Sequence, residues 1–289
     1  DMPVEGVFHN LVITQIEKEY AGQGQKVMNA MWGAGQMMFN KILVLASQTD
    51  FSITNYRELA KEIFKNLNPA TDVYFSQGPM DVLDHSCSKL GFGGKFCIDG
   101  THKYEEEIDD LYLNPAVPQI VSAEQIHTIF PEVKSLNTAL LKDGIPCIVI
   151  SIEKNRKGHI AVLHDALCNS GYIDGVKMVL YVEHTVNAMD LATALWRFCN
   201  NLDPKRDHFL YKKDIDGKYN AILGLDGTIK TKEFDGFERD WPNIIVANDE
   251  TIAAVDTKWN DLGIGKFIAS PSLKYKDQMY GEKAVADPT

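Results

Sequence analysis

The sequence repeats itself, and that constrains the fold more than any other feature. Ile16-Glu17-Lys18 returns as Ile152-Glu153-Lys154, a step of 136 from residue 16 to residue 152, each time closing an apolar run. Lys41-Ile42-Leu43-Val44 returns as Lys177-Met178-Val179-Leu180 at the same step. Asn66-Leu67-Asn68-Pro69 is matched by Asn201-Leu202-Asp203-Pro204, and Asp72 by Asp207, at a step of 135 from residue 72 to residue 207. Asp99-Gly100-Thr101 with Lys103 returns as Asp226-Gly227-Thr228 with Lys230, after a step of 127 from residue 99 to residue 226. A nearly constant spacing with one drop is the pattern of a tandem duplication with a single loop deletion.

Both copies predict the same elements. An apolar strand (Leu11 to Ile16; Cys147 to Ile152) leads to a helix (Gln25 to Met38; His159 to Asn169). A second strand follows (Ile42 to Ala46; Met178 to Val182), then a helix (Asn55 to Leu67; Met189 to Leu202). Two more strands close each copy (Val73 to Ser76 and Lys95 to Asp99; His208 to Tyr211 and Ala221 to Asp226). Leu59, Ala60, Ile63, Phe64 and Leu67 fall on one helical face. The Asn-Leu-Asx-Pro run stops each second helix, because the residue before proline is pushed out of the α region. Continuous apolar strands alternating with helices predict a mostly parallel sheet covered on both faces. The expected fold is therefore an α/β three-layer αβα sandwich, duplicated in tandem. Its expected domains are a unit over 1–114, a helical linker over 115–144, and a second, degenerate copy over 145–289 that includes a C-terminal helix and tail.

Composition narrows the function classes. The chain has 289 residues, 45% hydrophobic and 24% charged, which suits a packed core rather than disorder. Its net charge of −11, without clustered Lys and Arg, argues against nucleic-acid binding. No apolar run approaches the roughly 18 residues of a membrane helix, and Asp1-Met2-Pro3-Val4 is no secretory signal. A start without Met suggests either a fragment or a trimmed chain. Five scattered cysteines (Cys87, Cys97, Cys147, Cys168, Cys199) without a CxxC pair fit reduced thiols in a cytoplasmic protein, with no structural zinc.

The individual motifs read mostly as structural. Tyr20-Ala21-Gly22-Gln23-Gly24 opens a helix where backbone N–H groups could cradle phosphate, yet it lacks GxGxxG spacing and reads as a strand-to-helix turn. Gly93-Gly94-Lys95-Phe96 lacks the Ser or Thr of a phosphate-binding loop. Asp84-His85-Ser86-Cys87 sets nucleophiles beside a base, but sequence neighbours rarely face one another. Glu17-Lys18 and Glu153-Lys154 read as solvent-facing strand ends, and Asp99 and Asp226 as Asx-turn anchors. Trp32, Met37, Met38 and Phe39, interleaved with Gly33 and Gly35, read first as core at helical spacing; having no apolar counterpart in the second copy, they also fit a pocket wall or an interface on the first copy alone.

The first copy resembles the C-terminal domain of the UbiD-type decarboxylases. The resemblance is carried by Glu5-Gly6-Val7-Phe8-His9-Asn10-Leu11, Tyr20-Ala21-Gly22-Gln23-Gly24 with Lys26-Val27-Met28, and Met31-Trp32-Gly33 through Met37-Met38-Phe39. It continues through Asn68-Pro69-Ala70-Thr71-Asp72, Pro79-Met80-Asp81-Val82-Leu83-Asp84-His85, and Gly93-Gly94-Lys95-Phe96-Cys97-Ile98-Asp99-Gly100-Thr101-His102-Lys103. The second copy is tied to the family only through its likeness to the first.

The resemblance implies a non-oxidative carboxy-lyase acting on an aromatic or α,β-unsaturated acid, of the quinone-biosynthesis type. Its parent enzyme would use prenylated FMN, a divalent metal and potassium. In the family the cofactor and the catalytic Arg and two Glu lie in a preceding domain. No catalytic, cofactor-binding or metal-ligating residue is therefore carried over, and the chain alone is expected to be inactive. The implied partners are the N-terminal cofactor-binding domain of the parent chain and further copies in a homo-oligomer. The substrate-facing candidates are Phe8, His9 and Asn10 with Met37, Met38, Phe39 and Asn40. The competing expectation is a stand-alone α/β module for oligomerisation or binding.

Overall fold

Each copy of the repeat builds a sheet with the same strand order and register. A computed structural model describes residues 1–118 and 121–287. The first copy contains β1 (Leu11–Ile16), α1 (Gln23–Trp32), β2 (Ile42–Ser47), α2 (Tyr56–Asn66), β3 (Val73–Pro79) and β4 (Phe92–Gly100). Then come α3 (Ala123–Ile129), β5 (Val133–Asn137) and α4 (Ala139–Lys142). The second copy holds β6 (Cys147–Ile152), α5 (His159–Ser170), β7 (Met178–Glu183), α6 (Leu191–Asn201), β8 (His208–Ile215) and β9 (Lys218–Asp226), and α7 (Lys232–Asp235) and α8 (Asp249–Lys258) follow.

The sheets run β1-β2-β4-β3 and β5-β6-β7-β9-β8. β1, β2 and β4 are parallel, as are β6, β7 and β9, while β3, β8 and β5 are antiparallel to their neighbours. Val44 lies opposite Ile98 and Leu45 opposite Asp99; Leu180 lies opposite Leu225 and Tyr181 opposite Asp226. The duplicated residues thus occupy the same places in both sheets.

Both faces of each sheet are covered, as the apolar strands require. Val12, Leu43, Leu45 and Cys97 pack under Val27, Met28, Met31 and Trp32 from the α1 side. In the second copy Ile148, Ile150 and Val179 pack under Ile160, Leu163 and Leu167 of α5. The remaining faces meet in one shared core: Ile13, Ile42, Phe96 and Ile98 with Leu59 and Ile63, and Val149, Met178, Leu180 and Leu225 with Ala194 and Phe198.

Two lysines fix how the copies meet. Lys41 Nζ, at the start of β2, donates to Asn200 O in the last turn of α6, 3.3 Å away. Its counterpart Lys177 donates to Phe64 O and Leu67 O at the end of α2, at 2.6 and 2.7 Å. Each copy thereby supplies an ammonium to the carbonyls that the other's helix leaves unpaired at its C-terminus.

Three local expectations change. The helix expected over Gln25 to Met38 ends at Trp32, and Gly35–Phe39 forms a separate 3-10 turn. Gly35, at φ 56°, takes a backbone conformation that costs glycine nothing. The 115–144 segment, expected to be helical, also carries β5, which pairs antiparallel with β6; its residues 119–120 lie outside the described residues. Lys18 and Lys154 do not face solvent. Lys18 Nζ bonds Thr101 Oγ1, His102 O and Glu107, and Lys154 Nζ bonds Thr228 Oγ1, Ile229 O and Asp235. Asp99 and Asp226 do anchor turns, accepting from Thr101 N and Thr228 N at 3.0 and 2.9 Å.

Residues Asp1–Glu238 form one compact unit and Arg239–Thr289 a second, divided after both copies of the repeat. The second unit contains α8 and the bridge Pro242–Val285.

Buried histidines predict a fold that loses stability in acid. His164 Nδ1 lies 3.0 Å from Tyr181 Oη, and burial pulls its pKa from 6.5 to about 4. Below the unfolded value the unfolded chain binds more protons, so stability is complete above about pH 6.5 and is lost as pH falls toward about 4. His164→Gln should remove up to about 3 kcal/mol of that loss, seen as a smaller difference between denaturant midpoints at about pH 7 and pH 4.5.

Candidate substrate-facing site

The site begins with a strained turn. Val7 and Phe8 have φ of 46° and 63°, left-handed values that cost a residue with a Cβ on the order of 1 kcal/mol each. One repeat step after Phe8, from 8 to 144, the second copy has Gly144 at φ 78°. The backbone demand is shared, and the second copy meets it with the residue that bears it without strain. The first copy keeps a phenylalanine there, and its side chain is 57% exposed.

His9 packs against this ring, and Asn40 holds the His9 backbone. The His9 ring centroid lies 4.4 Å from that of Phe8 and 5.8 Å from that of Phe39. His9 Nε2 stands 3.1 Å from Asp81 Oδ2. Burial lowers its pKa, with Asp81 opposing, so the imidazole is neutral at neutral pH. Asn40, fully buried, donates through Nδ2 to His9 O at 2.8 Å and Ile42 O at 3.0 Å. His9 Nδ1 and Asn40 Oδ1 have no partner among the described residues. Lys95 Nζ, reaching across from β4, donates to Met38 O at 2.6 Å and Asn40 O at 2.8 Å, and burial pushes its pKa down to about 8.

The structure therefore gathers Phe8, His9, Phe39, Asn40 and the Met38 backbone. Two expected residues turn elsewhere. Met37 packs against the β-sheet cluster with Val27, Met28, Met31 and Trp32, and Asn10 Nδ2 reaches Asn200 Oδ1 of α6 at 3.1 Å. Sequence reasoning missed Asp81 and Lys95. Asp81 lies in the loop 80–91, whose place in the second copy is taken by the short turn Asp216–Gly217, so the drop in repeat step marked it. The repeat steps put Ile145, Pro146, Val176 and Ile222 where the first copy has His9, Asn10, Asn40 and Lys95. The second copy has none of this chemistry.

The rest of the loop 80–91 is a clamp rather than a nucleophile site. Burial would raise Asp84, but Lys41 Nζ at 2.8 Å from its Oδ2 holds the carboxyl at about 2. Ser86 Oγ lies 2.6 Å from Asp84 Oδ1 and 3.0 Å from Leu202 O, with one proton to share between them. Burial holds His85 at about 4 and pushes the Cys87 thiol up to about 12, which leaves it inert as a nucleophile. Gly22 N, at the helix start that might have cradled phosphate, instead bonds Glu107 Oε1 at 2.9 Å.

The gathered residues do not fit a flavin by themselves. Lys95, which reaches the stretch behind Phe39, is spent on two carbonyls and is not offered to a phosphate. Among the described residues, no three His, Cys, Asp or Glu side chains are grouped to hold a metal, and no helix is long and apolar enough to cross a membrane.

The fold is a duplicated, two-sheet α/β arrangement, with the candidate residues in the first copy. The profile described as the 3-octaprenyl-4-hydroxybenzoate carboxy-lyase C-terminal domain matches residues 1–100 and 112–217, and the chain belongs to this UbiD-type family. The match extends into the second copy directly, beyond the reach of the sequence resemblance. An uncharacterized Helicobacter pylori strain J99 protein is 32% identical over 263 residues, covering 89% of this chain and 39% of that protein. An uncharacterized Archaeoglobus fulgidus protein is 41% identical over 108 residues, 37% of this chain and 22% of its own length. The chain thus spans well under half the length of these relatives. Among solved structures, an evolved dimeric form of the UbiD-class enzyme HmfF from Pelotomaculum thermopropionicum, in complex with prFMN, shares 28% identity. It covers 40% of this chain and 24% of its own, at a TM-score of 0.31.

If Phe8 is held against its own preference, relieving the strain should stabilise the fold. Phe8→Gly is expected to raise stability by up to about 1 kcal/mol in denaturant unfolding, where an exposed aromatic in ordinary backbone would give no gain. Asn40→Ala should cost about 1–3 kcal/mol, because it strands two carbonyls.

Proposed function

We propose that this chain is the C-terminal portion of a non-oxidative carboxy-lyase acting on an aromatic or α,β-unsaturated acid. Family membership and the partial coverage of longer relatives support a role within a larger polypeptide. The single observation that carries the substrate-facing role is Phe8, kept exposed and left-handed where the other copy uses glycine. Strained, exposed residues held by a buried frame are a mark of functional sites.

In this reading the chain closes over a preceding cofactor-binding domain that holds prenylated FMN with a divalent metal and potassium. The chain supplies no catalytic residue. Phe8 and Phe39 offer an apolar wall that suits a conjugated acid and excludes water. His9, neutral and fixed by Asp81, holds the Phe8 ring in place, and Asn40 and Lys95 lock the stretch behind Phe39. Residues 1–114 carry the cleft side, 115–144 join the copies and lend β5 to the second sheet, and 145–289 hold the rest of the degenerate copy with its tail, which supports contacts in a homo-oligomer. The setting is cytoplasmic and of the quinone-biosynthesis type.

The test uses the full-length polypeptide. Phe8→Gly and Met38→Lys should each lower kcat/KM about tenfold or more, with flavin content and thermal midpoint unchanged or raised. The 289-residue chain alone should purify without flavin absorbance and without decarboxylation. Normal turnover in both variants would remove the substrate-facing role, and a yellow, active isolated chain would overturn the reading as a whole.

A further inference from the structure

We infer that the outer edge of β1 is a docking site for an extended segment: the residues that run into Asp1 in the longer polypeptide, added as an antiparallel fifth strand. Asp1 already makes the first step of that pairing. Its nitrogen donates to Ile13 O at 2.7 Å, and Ile13 N donates to Asp1 O at 2.9 Å. A peptide N–H at Asp1 would make the same donation.

The second copy shows the completed form. From Ile13 and Asp1, the repeat step of 136 leads to Val149 and Asn137, and these two are partners in the antiparallel ladder of β5 and β6. The ladder continues from there, Leu136 opposite Ile150, Ser135 opposite Ser151 and Val133 opposite Ile152. The corresponding edge positions of the first copy are Thr14, Gln15 and Ile16. Among the described residues β1 is the edge strand of its sheet, with β2 on its inner side.

Burial gives an independent sign that something is missing from this edge. Ile150, Ser151 and Ile152 are fully buried, while Thr14, Gln15 and Ile16 are half-buried. An uncovered edge strand normally carries a charge or a proline that blocks further pairing. β1, reading Leu-Val-Ile-Thr-Gln-Ile, carries neither. The occupant rests on the reading above that this chain is the C-terminal portion of a longer polypeptide, which the C-terminal-domain profile matched from residue 1 supports; the pairing set at Asp1 is antiparallel, so the residues running into Asp1 are the ones placed to continue it.

Strands alternate their backbone groups between two sides. Since Ile13 faces Asp1, the next outward N–H belongs to Gln15, and the residue two places before Asp1 would be its partner. Gln15→Pro therefore removes one outward donor while leaving the bonds to β2, and proline is tolerated at such edge positions.

The experiment is residue-resolved hydrogen exchange on the full-length polypeptide. The Gln15 amide should be protected about 100-fold or more, as in a sheet interior. In Gln15→Pro, the segment ahead of Asp1 should exchange about tenfold faster or more, while the Leu43 and Leu45 amides of β2 stay protected. Free exchange at Gln15 in the unsubstituted protein would overturn the inference, as would unchanged exchange of the segment in the variant. Protection at Gln15 that grows with protein concentration would give the edge to a second copy of the chain, and so also refute it. Should Gln15→Pro lose protection at Leu43 and Leu45, the unsubstituted protein's Gln15 exchange decides alone. This outcome is independent of whether Phe8 faces substrate.

Discussion

The exchange of lysines between the copies holds the architecture together. A helix leaves its last carbonyls unpaired, and buried carbonyls need donors. Lys41 and Lys177 supply them across the junction, each from the first residue of its parallel-strand run to the other copy's helix. Burial lowers Lys177 to about 8, as removal of an ammonium from water does. The cost of that removal is offset only while the partner helix is in place. The shared apolar core then forms between the sheets, with Leu59 and Ile63 on one side and Ala194 and Phe198 on the other. Reciprocal contact of this kind is the signature of a two-fold relation between like units, here joined in one chain.

Such a relation lets one copy specialise. The loop 80–91 exists in the first copy alone, and it ties that copy to the end of α6 through His85 and Ser86, while Asp84 pairs with Lys41 of its own copy. Gly94 shows how close this approach is: its N donates to Asp203 Oδ1 at 3.1 Å, and a Cβ there would stand 2.4 Å from Lys205 N. With the second copy acting as a rigid support, the first can keep Phe8 in a strained conformation and bury His9 and Lys95 beneath the same wall. The second copy, with Gly144, Ile145 and Ile222 at those places, carries no strain and no buried charge there.

Much of the fold was legible in the chain because repeats and apolar runs report backbone pattern directly. The repeat step located both sheets and their equivalent residues, and the Asn-Leu-Asx-Pro stops marked the ends of α2 and α6. Phe8, His9, Phe39 and Asn40 were legible as a candidate group through the family-like motif and the contrast between copies. What the sequence by itself determined was therefore the unit, its duplication and the copy that differs. The tertiary structure decided which way side chains point: Met37 into the sheet cluster, Asn10 toward α6, and Asp81 and Lys95 into the site. It also decided that Lys18 and Lys154 are buried anchors rather than solvated ends. The physical reason is that periodicity encodes which face of a strand or helix is apolar, while the partner of a polar group depends on where distant segments meet, and no local pattern records that.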